Sequence, residues 1–194
     1  MSTSANVVVA PRRLPGDLAM WFFILAELSV FALLILAFAT TQALKPQLFA
    51  DSRQLLDTST GLAMTLSLLS AGFLAALAQE RVRQARPRQA GGLLLLALLV
   101  ACGYLGLKLG EYQHLLSLGL DLEHNTFFTL YWLLTGFHFL HVLLGMLILA
   151  WLAKGCWRGV YSPGRCSGFE SGVLYWHMVD LIWVVLFPLV YVLD

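Results

Sequence analysis

The chain has 194 residues and a mass of 21.5 kDa; 59% of its residues are hydrophobic, only 12% are charged, and the mean hydropathy is +0.78. A soluble domain carries about 25% charged residues, so this chain cannot cover a water-facing surface and reads as a membrane protein. A net charge of +1 gives no basic field for nucleic acid, and several spans leave no room for a separate soluble domain.

Residues 1–15 are polar, include Arg12, Arg13 and Pro15, and read as a cytoplasmic N-terminal segment. Residues 16–194 read as one domain with apolar runs at about 18–43, 60–80, 91–113, 126–153 and 172–193. A spanning helix takes roughly 20 apolar residues, and each run supplies them. The expected fold is an all-α polytopic membrane protein, a bundle of five transmembrane helices. The first run is too long for a signal-peptide core and has no small-residue cleavage pattern, so it is expected to be an uncleaved span. The connection around Asp121 to Asn125 is short, which makes the third and fourth spans antiparallel neighbours.

The basic residues sort by side. With the N-terminus inside, Arg12, Arg13, Arg81, Arg83, Arg86, Arg88, Lys154, Arg158 and Arg165 are internal, while Lys45 and Arg53 are external. That asymmetry predicts a cytoplasmic N-terminus and a C-terminus on the far side, at Asp194. Cys102 lies in an apolar run and Cys156 and Cys166 in a later loop, with no CxxC or CxxCH. This spacing argues against a covalent c-type haem, a zinc ribbon, an iron–sulfur cluster or a binuclear copper site.

Ionisable groups at membrane depth cost a few kcal/mol each, so each needs a reason. They are Glu27 in the first span, Lys108, Glu111 and His114 in the third, His138 and His141 in the fourth, and His177 and Asp180 in the fifth. At 1.5 Å per residue, Glu27 lies roughly 14 Å from the inner face. By the same rise His177 and Asp180 lie roughly 8 and 12 Å from that face, and His138 and His141 fall in the inner half. Glu27, His138, His141, His177 and Asp180 are therefore expected to share one inner layer, with Glu170 at its boundary. Lys108, Glu111 and His114 form an outer-end group, Lys108 pairing with Glu111 and snorkelling outward.

Each group admits two readings. His138 and His141 bridge helices or ligate a metal. His177 and Asp180 clamp two helices or relay protons, since histidine titrates near neutrality. No basic residue lies within one turn of Glu27 on its own helix, so it is a protonated carboxyl donating one hydrogen bond or a proton-exchanging group. Gly136 and Gly145 would let another helix approach closely.

Three stretches carry a resemblance. They are WFFILAELSVFALL at 21–34, NTFFTLYWLLTGFHFLHVLLG at 125–145 and GFESGVLYWHMVDLIWVVLFPLVYVL at 168–193; GEYQHL at 110–115 agrees. With the patterns GFHxLH and GxxYWHxVDxxW in this order, the chain over about 15–194 resembles subunit III of the haem–copper oxidases. Its opening LPGDLAMWFFILAEL and short loops look closest to the five-helix NorE-type proteins found with nitric-oxide reductases. The rival is the five-helix subunit III of quinol oxidases, which often has aspartate at the Glu27 position. Met178 stands where many members have phenylalanine, and two further N-terminal helices of seven-helix members are absent.

The resemblance implies a non-catalytic accessory subunit in a bacterial cytoplasmic membrane, with no cofactor or metal of its own. It implies a catalytic integral-membrane partner that holds haem, either a nitric-oxide reductase or a terminal cytochrome c or quinol oxidase, together with bound phospholipid. Its role would be to stabilise the complex and support proton uptake. By motif, Glu27 is the buried carboxylate of the first span, His138 and His141 the GFHxLH pair, and Glu170, His177 and Asp180 the FE…YWHxVD set. The residues alone leave two other classes open: a small proton-coupled transporter using Glu27, His177 and Asp180, and a metalloenzyme ligated by His138, His141 and His177.

Overall fold

The computed structural model describes residues 18–193 and contains six helices among them. The segment 1–15 and Asp194 lie outside the described residues. Five helices are long and apolar enough to cross a membrane: α1 (Leu18–Leu44), α3 (Thr58–Arg83), α4 (Pro87–Ser117), α5 (Thr126–Trp157) and α6 (Ser167–Tyr191). The expected bundle of five spanning helices is thus present. Its helices extend beyond most of the apolar runs, because hydropathy reads the part facing hydrocarbon whereas the backbone continues to coil past it. Cys156, expected in a loop, is buried in the last turn of α5.

A sixth helix, α2 (Pro46–Arg53), is short and polar and lies outside the apolar runs that mark the spans. Proline at its start presets the backbone of the first turn. Phe49 is its anchor, fully buried between Phe38 of α1 and Phe127 of α5 at ring separations of 5.1 and 5.2 Å. Arg53 closes the far end of the bundle. Its Nε donates to Val190 O at 3.1 Å and its Nη2 to Leu189 O at 3.3 Å. Thr58 Oγ1 donates to Tyr191 O and Gln42 Nε2 to Leu193 O. The last carbonyls of a helix have no partners within it, and here three other elements supply them for α6.

Local chemistry fixes the other ends. Asp57 caps α3 by accepting from the backbone of Ser59 and Thr60, and the Ser59 and Thr60 hydroxyls hold its carboxylate down at about 2. Asn125 caps α5 through Phe128 N. After α4, Gly119 takes a φ of 73°, with Leu120 N bonded to Leu115 O and Gly119 N to Leu116 O, a Schellman ending. The α3–α4 turn uses the same ending with Ala85 at φ 58°, the only described non-glycine residue with positive φ.

Helices in lipid gain little from hydrophobic burial against each other, so close packing decides which ones meet. Small residues line the interiors of α3 and α4, with Ala71, Ala75 and Ala78 buried on one and Ala90, Ala97 and Ala101 on the other. Ser67 Oγ of α3 donates to Val100 O of α4 at 2.6 Å. Gly145 of α5 admits Trp176 of α6, whereas nothing lies within 4 Å of a side-chain position at Gly136, so only one of the two expected small contacts is made. α6 is the most enclosed span and α1 the least. α1 buries only Ile24, Phe31 and Phe38, a single seam at heptad spacing.

Candidate functional site

The ionisable residues of the spans fall into separate groups. The first joins α1 to α5. His141 Nε2 lies 3.0 Å from Glu27 Oε2, and His141 Nδ1 lies 2.8 Å from the carbonyl of Phe137. A carbonyl only accepts, so Nδ1 carries a hydrogen. Nε2 is then either bare and accepts from a protonated Glu27, or protonated and donates to the Glu27 carboxylate. In both cases one proton sits between the two groups, and the pair is neutral overall. Phe31 and Phe137 flank the imidazole at 5.2 and 4.5 Å, and Tyr175 OH donates to His141 O at 3.3 Å.

His138 is not part of this pair. Three residues along a helix turn the side chain by about 60° from its neighbour, which aims His138 at α4 and α6 instead. It is fully buried, stacks on Trp183 at 5.1 Å and meets the edge of Tyr104 at 6.2 Å. Neither of its ring nitrogens has a hydrogen-bond partner among the described residues, nor does Tyr104 OH.

His177 and Asp180 form another group, on the face between α3 and α6. His177 Nδ1 is 3.8 Å from Asp180 Oδ2, beyond hydrogen-bond range. The His177 side chain is 43% exposed, while that of Asp180 is only 7% exposed. Both line an open groove of about 290 Å³ with Leu69, Phe73, Leu181 and Val184. Gly72 makes room for the carboxylate, since a Cβ there would collide with Asp180 Oδ2. The second oxygen, Oδ1, is enclosed within the bundle and has no hydrogen-bond partner among the described residues. The single inner layer expected from depth is therefore divided azimuthally into three: Glu27 with His141, His138 alone, and His177 with Asp180. Depth along a helix says nothing about which side of it a residue faces.

The outer-end group is more tightly organised than expected. Lys108 is completely buried and does not snorkel. Its Nζ donates to Glu111 Oε2 at 2.7 Å, Tyr131 OH at 3.1 Å and Tyr191 OH at 3.0 Å. Both tyrosines donate in turn to Glu111, at 2.8 and 2.9 Å. The ammonium also lies 4.8 Å from the centre of the Tyr112 ring and 5.4 Å from that of Trp183. The buried Nζ is accommodated because α5 and α6 surround it with acceptors and aromatic faces. The i,i+3 spacing of Lys108 and Glu111 was visible in sequence, but the two tyrosines were not, because they come from other helices. His114 stays exposed and lines a shallow groove of about 440 Å³ with Asp57, Gly110 and Glu111.

At the opposite end, Glu170 in the first turn of α6 pairs with Arg83 at the end of α3 at 2.9 Å. A carboxylate at a helix N-terminus also meets the positive end of the helix dipole. Burial, together with this carboxylate, pushes the neighbouring Cys166 thiol up. Among the described residues no three His, Cys, Asp or Glu side chains converge as a metal-binding group, and the His138, His141 and His177 set of the metalloenzyme reading is not brought together.

A sequence model of cytochrome c oxidase subunit III matches residues 16–194. The chain belongs to the cytochrome c oxidase subunit III family. Cytochrome c oxidase subunit 3 of Synechocystis sp. is 31% identical over 204 residues, covering 100% of this chain and 85% of that protein. Quinol oxidase subunit 3 of Bacillus subtilis is 29% identical over 182 residues, covering 91% of this chain and 86% of its own length. The probable quinol oxidase subunit 3 of Staphylococcus saprophyticus is 26% identical over 197 residues, covering 100% and 97%. A subunit III-type chain with five apolar helices is a multi-pass membrane protein related to respiratory oxidase subunits.

Proposed function

We propose that this chain is a non-catalytic accessory subunit that binds and stabilises a haem-containing catalytic subunit in a bacterial cytoplasmic membrane. The observation that carries this reading is the family match over residues 16–194. Its own polar groups are also engaged in ways that suit a scaffold. Glu27 with His141 ties α1 to α5, and Lys108 with Glu111, Tyr131 and Tyr191 ties α4, α5 and α6. The Glu27–His141 pair holds one exchangeable proton, the kind of group that supporting proton uptake requires. The distribution of basic residues supports a cytoplasmic N-terminus. Bound phospholipid belongs to the same reading.

For the partner, the opening LPGDLAMWFFILAEL and the short loops favour nitric-oxide reductase, by likeness to NorE-type proteins. A second reading, a terminal oxidase, is favoured by relatives that are subunit 3 of cytochrome c and quinol oxidases. Gentle detergent purification from the native membrane, with identification of the co-purifying haem subunit, separates them. Nitric-oxide reduction by the purified complex supports the first and oxygen reduction the second. Isolation as a lone, haem-free protein that drives flux in proteoliposomes would replace both with a transporter.

A further inference from the structure

We infer that the groove between α3 and α6 receives a transmembrane helix of the catalytic subunit, and that this helix presents a hydrogen-bond donor to Asp180 and His177. The inference deepens the accessory-subunit reading and rests on it.

The polar groups on the outward faces of the spans differ in how they are satisfied. On α1, Ser29 donates to Leu25 O, Thr40 to Leu36 O and Thr41 to Ala37 O, each at 2.7 Å. These hydroxyls are closed on their own helix, and that face needs nothing from its surroundings but hydrocarbon. The α3–α6 face is different. Asp180 lines the groove, His177 is nearly half exposed, and the 3.8 Å between His177 Nδ1 and Asp180 Oδ2 is too long for a hydrogen bond between them. Lipid chains offer no hydrogen bonds, so a carboxylate and an imidazole left this way in hydrocarbon would be costly.

The shape of the groove identifies the occupant. Its walls, Leu69, Phe73, Leu181 and Val184, are apolar and exposed, and Gly72 removes a side chain at its floor. A small residue beneath a polar group, flanked by apolar walls, is the surface that transmembrane helices use for close approach with a polar contact at the centre. Both polar groups lie in the middle of α6, well away from either end, so a lipid head group is less suited to reach them than a side chain from another helix. The chemistry calls for a hydroxyl, amide or guanidinium donor on that helix, accepted by Asp180 and buttressed by His177.

The test uses the intact complex in membranes. A photoreactive side chain at Leu181 should cross-link to the haem-containing subunit, while one at Leu33, on the outward face of α1, should not. Leu181→Trp fills the groove from a lipid-exposed position and leaves the fold untouched. It should reduce recovery of the haem subunit on the tagged chain by about tenfold, the effect of losing one interhelical contact. Asp180→Ala should do the same, and Leu33→Trp should not. Wild-type recovery of the haem subunit with both Leu181→Trp and Asp180→Ala, or cross-linking at Leu181 only to lipid or to a second copy of this chain, overturns the inference alone. A wild-type chain that retains no haem subunit overturns the accessory-subunit reading with it.

Discussion

Two residue pairs set the character of this chain. Glu27 and His141 share one proton across an interhelical hydrogen bond. If that proton resides on Glu27, then Glu27→Gln keeps a donor to His141 Nε2 and melts close to wild type in detergent. Glu27→Ala leaves Nε2 unpartnered and costs about 1–2 kcal/mol. A large loss with Gln as well would show the ion-paired form, imidazolium against carboxylate. Lys108 presents the opposite case, a basic side chain with zero exposure set against a carboxylate. Lys108→Met strands the Glu111 carboxylate and is expected to cost about 3–5 kcal/mol in thermal unfolding. Adding Glu111→Gln removes the stranded charge while leaving an acceptor for Tyr131 and Tyr191, and should restore more than half of that loss. Strict additivity of the two substitutions would mean that the charges do not interact.

Among the elements, α2 and the helix ends carry the least legible information. The five spans were readable because twenty or so apolar residues in a row have few other fates. Glu27, His138, His141, His177 and Asp180 were readable as candidates because ionisable groups stand out in apolar runs. Their partners were not readable, since azimuth depends on how neighbouring helices pack. Lys108 shows the limit well. Its i,i+3 carboxylate was visible, yet its burial is set by Tyr131 and Tyr191, 23 and 83 residues further along. Arg53 read as an outer charge, but it is the cap of α6. Arg53→Met should therefore destabilise by about 2 kcal/mol and speed amide exchange at the end of α6, with little change elsewhere. Asp57 makes a pH prediction for α3. Its carboxylate is held at about 2 against an ordinary 3.8, so its capping contribution is complete above that ordinary value and is lost as pH falls toward 2. Asp57→Asn should flatten that acid limb of the stability profile.

The whole molecule is unevenly bound. α3, α4, α5 and α6 interlock through small residues and the lysine–tyrosine network, whereas α1 buries one seam and adds the Glu27–His141 bond, the stacking of Phe23 on Tyr175 and the Gln42 contact to Leu193 O. In detergent, α1 amides should exchange with solvent faster than those of α3 and α6, well before global unfolding. Uniform protection across all five spans would show that the seam is as strong as the core.

The pairing of the buried groups has an electrical consequence. An energised membrane exerts about 2.3 kcal/mol on each elementary charge moved across 100 mV. Lys108 is balanced by Glu111 within 2.7 Å, and Glu27 with His141 is neutral wherever its proton sits. Transferring that proton shifts a dipole by the length of one hydrogen bond and moves no net charge across the bilayer. These two ties between helices therefore offer the membrane field no net charge to pull on, and they hold equally whether the membrane is charged or discharged.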